Sequence, residues 1–133
     1  MARRAPAFPK SYVNRPLRKA LEAFGALPNR TTLDALLKAM RTGALVVDIT
    51  GTTDAADPRV RTILSTAGEL VLPLFTSVAE LRAAVPDDQR ATAQAMILPA
   101  ADALALIETA DFVAVQFDVG SIGQVVKRDY VLA

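Results

Sequence analysis

Thr76 with Ser77, and Gly120 with Ser121, are the residues of this chain best placed to hold a ligand. Both pairs follow apolar runs that read as strands, ending near Phe75 and Phe117. Exits from strands set backbone N–H donors and short hydroxyls along one edge of a sheet, where small polar ligands bind. Making a nucleophile of either hydroxyl requires a base within hydrogen-bond reach. The chain has no histidine and no cysteine. That removes the commonest general base, the thiolate nucleophile and the commonest metal ligands. Lysine would have to serve, and none of Lys10, Lys19, Lys38 and Lys127 sits in a motif that pairs it with serine. The sequence therefore predicts no catalytic residue and no enzyme activity.

Other constellations are weaker still. Asp54 with Asp57, and Asp87 with Asp88, lack the alternating spacing of a calcium loop and read as exposed acids in turns. No phosphate-binding glycine loop ends in Lys-Ser or Lys-Thr, and no dinucleotide fingerprint follows a strand. Gly120-Ser121-Ile122-Gly123 has the GxxG form of RNA-binding loops, but its flanks read as a plain turn. No cofactor and no metal are expected. Charge is lopsided: Arg3, Arg4, Lys10, Arg15, Arg18 and Lys19 all precede the first acid, Glu22. Such a head can contact phosphates or an acidic partner. A stacking platform for bases needs exposed rings among the cations. With no tryptophan, five phenylalanines and two tyrosines, nucleic acid is a weak third alternative, resting on Phe8 and Tyr12 in the arm.

The elements that must position these residues follow from periodicity. Residues 1–13, with Pro6 and Pro9, read as a flexible basic arm, and residues 14–133 as one domain. Asn14 is a fitting N-cap for a helix carrying Leu17, Leu21 and Phe24. Thr31 with Asp34 predicts the start of a second, carrying Leu33, Leu36, Leu37 and Met40, with Gly43 as its stop. Residues 44–50 switch to period two, with Leu45, Val47 and Ile49 on one face. Val60, Thr62 and Leu64 suggest a second strand and 69–75 a third, the three forming an antiparallel meander. Pro73 lacks a ladder donor, which predicts an edge strand or a bulge where another chain could dock. Ser77 and Glu80 open a helix ended by Pro86, and Asp87–Arg90 reads as a loop. A strand over 91–98, a helix from Pro99 with Leu104 and Ile107 inward, and a strand over 112–117 complete the pattern. The fold class is α+β: one domain with a mixed sheet of about five to six strands and about four helices.

One run is more specific than periodicity. Leu72-Pro73-Leu74-Phe75-Thr76-Ser77-Val78-Ala79-Glu80-Leu81, a strand ending in Pro-x-Phe-Thr-Ser and entering a helix, resembles the N-terminal domain of the SseB family. Ile97-Leu98-Pro99, Ala110 to Val115, Gly120-Ser121 and the closing Val125 to Val131 agree with it in order. The resemblance covers roughly residues 31–131. The family tends to carry Asn-Pro-Gly after its last long strand, whereas this chain has Asp118-Val119-Gly120, keeping the glycine turn and losing the Asn-Pro pair. Members can carry a second, C-terminal domain. The resemblance implies a bacterial protein with no agreed catalytic residues, a link to enhanced serine sensitivity and an association with type III secretion.

At 133 residues and 52% apolar, the chain has enough core to fold without metal or disulfide. No segment reaches the roughly 18 unbroken apolar residues of a membrane span. Pro6, Pro9 and Lys10 interrupt any leader-like core. The expectation is a cytoplasmic, non-catalytic accessory domain that binds an unidentified protein partner, with a homo-oligomer left open. Arg3, Arg4, Lys10, Arg15, Arg18 and Pro73 are its candidate contact residues. The alternative is a small-ligand sensor using Thr76, Ser77, Gly120 and Ser121.

Overall fold

A computed structural model describes residues 8–133; Arg3 and Arg4 lie outside the described residues. Helix α1 (Arg15–Ala26) starts where Asn14 predicts, the Asn14 Oδ1 accepting from Leu17 N–H at 3.2 Å, with Pro16 in the first turn. The same side chain donates from Nδ2 to the carbonyls of Thr42 and Ala44, so the cap also fastens α1 to the first strand. Helix α2 (Arg30–Ala39) begins at Asn29 and not at Thr31. Asn29 Oδ1 accepts from Thr32 N–H while Thr32 Oγ1 accepts from Asn29 N–H, a reciprocal cap that aspartate at position 34 is too far along to form. Gly43 then turns the chain at φ +70°, where an added Cβ would lie 2.6 Å from the Tyr12 hydroxyl. That hydroxyl accepts from Ala44 N–H, and Val13 bridges to Ser77, so anchoring begins just ahead of α1.

Strands β1 (Ala44–Asp48), β2 (Ile63–Leu64), β3 (Leu70–Phe75), β4 (Ala95–Pro99), β5 (Ala114–Phe117) and β6 (Gln124–Lys127) form one six-stranded sheet. Its order is β4-β1-β3-β5-β6, with β2 joined to β3. Only β3 and β5 pair in parallel, so the sheet is mixed and the class is α+β as expected. The meander is not formed. β1 pairs with β3 and β4, and β2 pairs only with the start of β3. Long-range pairing, not chain proximity, settles that order.

Pro73 is neither on an edge strand nor at a bulge: it sits in central β3, opposite Gln116 of β5. The carbonyls of Leu70 and Leu74 accept from Val113 and Asp118 N–H groups on the β5 side, so by alternation the Pro73 nitrogen faces the other way. There β1 gives way to β2. The Asp48 carbonyl, which a residue with an N–H at position 73 would serve, accepts instead from Arg61 N–H at 2.8 Å. The proline is tolerated because the neighbouring ladder is interrupted where its donor is missing.

Helix α3 (Val78–Ala84) is capped by Ser77 as the sequence predicts. A 3-10 turn over Asp87–Thr92 stands where a loop and the start of a strand are expected, and β4 starts only at Ala95. Helix α4 (Ala100–Ala105) follows Pro99 and sets Leu104 inward as expected, while Ile107, expected on the same helix, is buried just past its end. A 3-10 turn over Leu106–Thr109 leads to β5, and α5 (Arg128–Leu132) closes the chain. Strand β6 has no counterpart among the predicted elements.

The sheet is covered unequally. Leu17, Leu21, Leu36, Met40, Leu45, Val47, Leu72, Leu74, Val115 and Phe117 belong to one large core under the helices of one face. On the other face α3 alone packs, with Leu81 and Val85 against Val46 and Phe75. Beyond α3, toward β2, β5 and β6, no helix among the described residues lies on that face.

Candidate functional site

Because β3 and β5 run parallel, their C-terminal ends lie side by side, and so do the residues that leave them. Thr76 follows β3 and Asp118 follows β5. The Asp118 carboxylate accepts from Thr76 N–H, from Thr76 Oγ1 and from Arg18 Nη1, each at 2.8 Å. Arg18, one turn into α1, also meets Glu80 at 3.1 Å and donates to Ser121 Oγ at 3.3 Å. Ser121 donates in turn to the Glu80 carboxylate. Ser77 Oγ accepts from Glu80 N–H, which starts α3 and sets Glu80 toward Arg18.

The backbone is shaped to the same end. Asp118 has φ +50°, a left-handed conformation that aspartate adopts more readily than most residues. Its carbonyl accepts from both Ser121 and Gly123 N–H groups at 2.9 Å, closing the GxxG segment as a turn. Gly120 lies against α3, where an added Cβ would stand 3.1 Å from Ala84 Cα and 3.2 Å from Ala84 N. The loop reaches Arg18 and Glu80 only because it packs this closely.

Four candidates separated by more than forty positions, Thr76, Ser77, Gly120 and Ser121, thus form one cluster, and Arg18 joins them. Asp118 and Glu80 are the members that sequence reasoning missed. The available signal was an acid directly after an apolar strand and two residues before a glycine, where a left-handed turn residue is wanted. Asp118 is 0% and Thr76 1% exposed, so no substrate reaches that hydroxyl or its carboxylate partner. Burial works against the Arg18 charge, but the hydrogen bond to Asp118 and the attraction of Glu80 outweigh it, and the guanidinium pKa is raised. The side chains of Asp118, Thr76, Ser77, Ser121 and Glu80 are each engaged within the cluster, so its chemistry is that of a fastener.

The remaining candidates are dispersed. Lys10 and Arg15 are exposed near the start of α1, and Pro73 lies in mid-sheet. Asp54 accepts from Ala56 N–H within its own turn, and Asp87 pairs with Arg90 at 2.8 Å. Among the described residues, no group of three or more acids is placed to hold a metal ion. No helix among them is long and apolar enough to cross a membrane.

A second region differs in kind. On the sheet face that α3 leaves open, a groove of ≈ 570 Å³ is lined by Ile63, Leu64, Val71, Val113, Ala114 and Val125, with Glu69 and Lys127 as its charged groups. Leu64 is 69% and Val125 48% exposed. These are large apolar side chains on a regular sheet surface, a costly arrangement in water unless something covers them.

A family model described as SseB protein N-terminal domain matches residues 17–133. No curated protein and no solved structure matches the chain.

Proposed function

The chain belongs to the SseB N-terminal domain family, and from that premise we propose that it is a non-catalytic accessory domain that binds another protein through the open face of its sheet. The observation that carries this reading is the groove over β2, β3, β5 and β6, whose exposed Leu64, Val113 and Val125 have no helix above them among the described residues. A sheet covered on one face and bare over half of the other completes its burial by taking on a partner. The family's association with type III secretion makes the components of a specialised secretion system the first partners to try, and the cytoplasm the first compartment.

The test is affinity purification from the native host with the wild-type chain and with a Leu64→Glu/Val125→Glu variant of equal thermal stability. A protein retained by the first and lost by the second supports the reading. Recovery of the same proteins by both refutes this surface.

A second reading is supported by the size of the groove, which is within the roughly 300–1,000 Å³ of small-molecule sites. A small, largely apolar ligand would then lie on Val71 and Ala114, and the domain would act as a sensor. It requires a ligand that raises the melting temperature of the wild type and leaves the variant unmoved. The Thr76, Ser77, Gly120 and Ser121 cluster gives less support to a sensor, since its hydroxyls and carboxylates are already engaged with one another.

A further inference from the structure

Strand β4 ends the sheet opposite β6, and among the described residues its outer edge has no neighbouring strand. The bonds from Ile49 N–H to the Gln94 carbonyl and from Ala100 N–H to the Gly43 carbonyl fix which residues face β1. Even-numbered residues of β4 point inward to β1, so the N–H and C=O groups of Ala95 and Ile97 point outward. The strand is Ala-Met-Ile-Leu-Pro, without a charge. Natural sheets usually protect an edge with a charged side chain, a bulge or a covering loop. Among the described residues the only such device here is Pro99, which ends the edge.

Beside this edge runs a groove of ≈ 370 Å³ with Val78, Ala93, Ala95 and Ile97 among its walls. Among the described residues its charged lining is Lys10 and Arg82, with no acid. Among the described residues, neither cation is within 4.0 Å of a carboxylate.

We propose that β4 accepts an extended, acidic peptide segment of another protein as an added strand. Its backbone pairs with Ala95 and Ile97, alternate apolar side chains enter the groove on Val78 and Ile97, and its acids meet Lys10 and Arg82. Strand addition of this kind takes affinity from the backbone ladder and selectivity from side chains on one face. Charge also separates the candidate occupants. Residues 1–7 of this chain contain Arg3 and Arg4 and no acid, so they present the wrong sign. A second copy paired through β4 about a two-fold axis would bring its own Lys10 and Arg82 to the same edge, like charge to like. The site is at the far end of the sheet from the open groove, and its failure would leave the proposed function standing.

The experiment titrates blocked synthetic peptides into the isotope-labelled full chain and follows backbone amides. The probes are a peptide alternating valine and glutamate, one alternating valine and lysine, and the glutamate peptide N-methylated along its ladder edge. The glutamate peptide is expected to shift the Ala95 and Ile97 amides and protect them from hydrogen exchange. A Lys10→Glu/Arg82→Glu variant, both positions being exposed, should weaken binding about fivefold or more, and the N-methylated peptide should not bind. The proposal is overturned if those two amides are unmoved, if the lysine peptide binds equally well, or if N-methylation changes nothing. It also fails if Ala95 and Ile97 are protected in the free protein and lose that protection on dilution or on removal of residues 1–7. The first result would assign the edge to a second copy, the second to the chain's own start.

Discussion

The cluster at the ends of β3 and β5 and the groove on the open sheet face are opposite solutions to the same sheet. In the cluster, the Asp118 carboxylate and the Thr76 and Ser77 hydroxyls are drawn inside, and Asp118 accepts from three donors at 2.8 Å. In the groove, aliphatic side chains are left outside, with Leu64 and Val125 facing water. The difference teaches that reactive-looking residue types need not mark a free surface. Thr76, Arg18 and Asp118 hold β3, α1 and the loop after β5 together. Leu64, Val113 and Val125, which promise no chemistry at all, are the apolar side chains left at the surface.

If the cluster is a fastener, stability should fall most when its centre is removed. Asp118→Ala strands the buried Thr76 N–H and Oγ1 and frees Arg18, and should cost about 3 kcal/mol, or roughly 10 °C in melting temperature. Asp118→Asn keeps an acceptor and tolerates the positive φ, so about half that loss is expected in the same melt. Gly120→Val drives a branched side chain into α3 at Ala84 and should cost about 2 kcal/mol by chemical denaturation. Ser77→Ala removes the α3 cap and should cost about 1 kcal/mol.

The groove should behave in the contrary way. Leu64→Glu and Val125→Glu should each move stability by no more than about 0.5 kcal/mol, because both side chains already face solvent, while abolishing partner capture. A large loss of stability there would erase the contrast between the two regions. The raised Arg18 pKa adds no pH dependence near neutrality. Its stabilising contribution is complete below the unfolded arginine value and disappears only as the pH climbs through the higher folded one, in strong alkali.

Local physics was readable from the chain. Asn14 and Ser77 as caps, Leu45 and Val47 on one strand face, and Leu104 and Ile107 pointing inward all depend on neighbours within a few positions. The family resemblance was readable too, because the run from Leu72 to Leu81 holds a strand, its exit and a helix cap in one continuous stretch. What stayed hidden was non-local. Pro73 looks like an edge residue until Arg61 is seen serving the Asp48 carbonyl in its place. Strand β6 is short, and its Gln124 and Lys127 mask the Val125-Val126 pair. Asp118 gives little sign of burial in sequence, since its partners lie 42 and 100 positions away. The cluster's hydroxyls were found by their place after strands, but their mutual engagement depends on β3 and β5 being neighbours, which the chain order conceals.

The separation of Arg18 from Asp118 by 100 positions bears on how the molecule comes into being. A ribosome makes α1 early and the residue that locks it late, and β5, which stands between β3 and β6, is made after four of the other strands. Until it arrives, the aliphatic faces of β1 and β3 have no completed sheet to enter. Contacts this distant close slowly. The domain should therefore reach its native state only once β5 and β6 have been made, as one late event in which its last third completes the first.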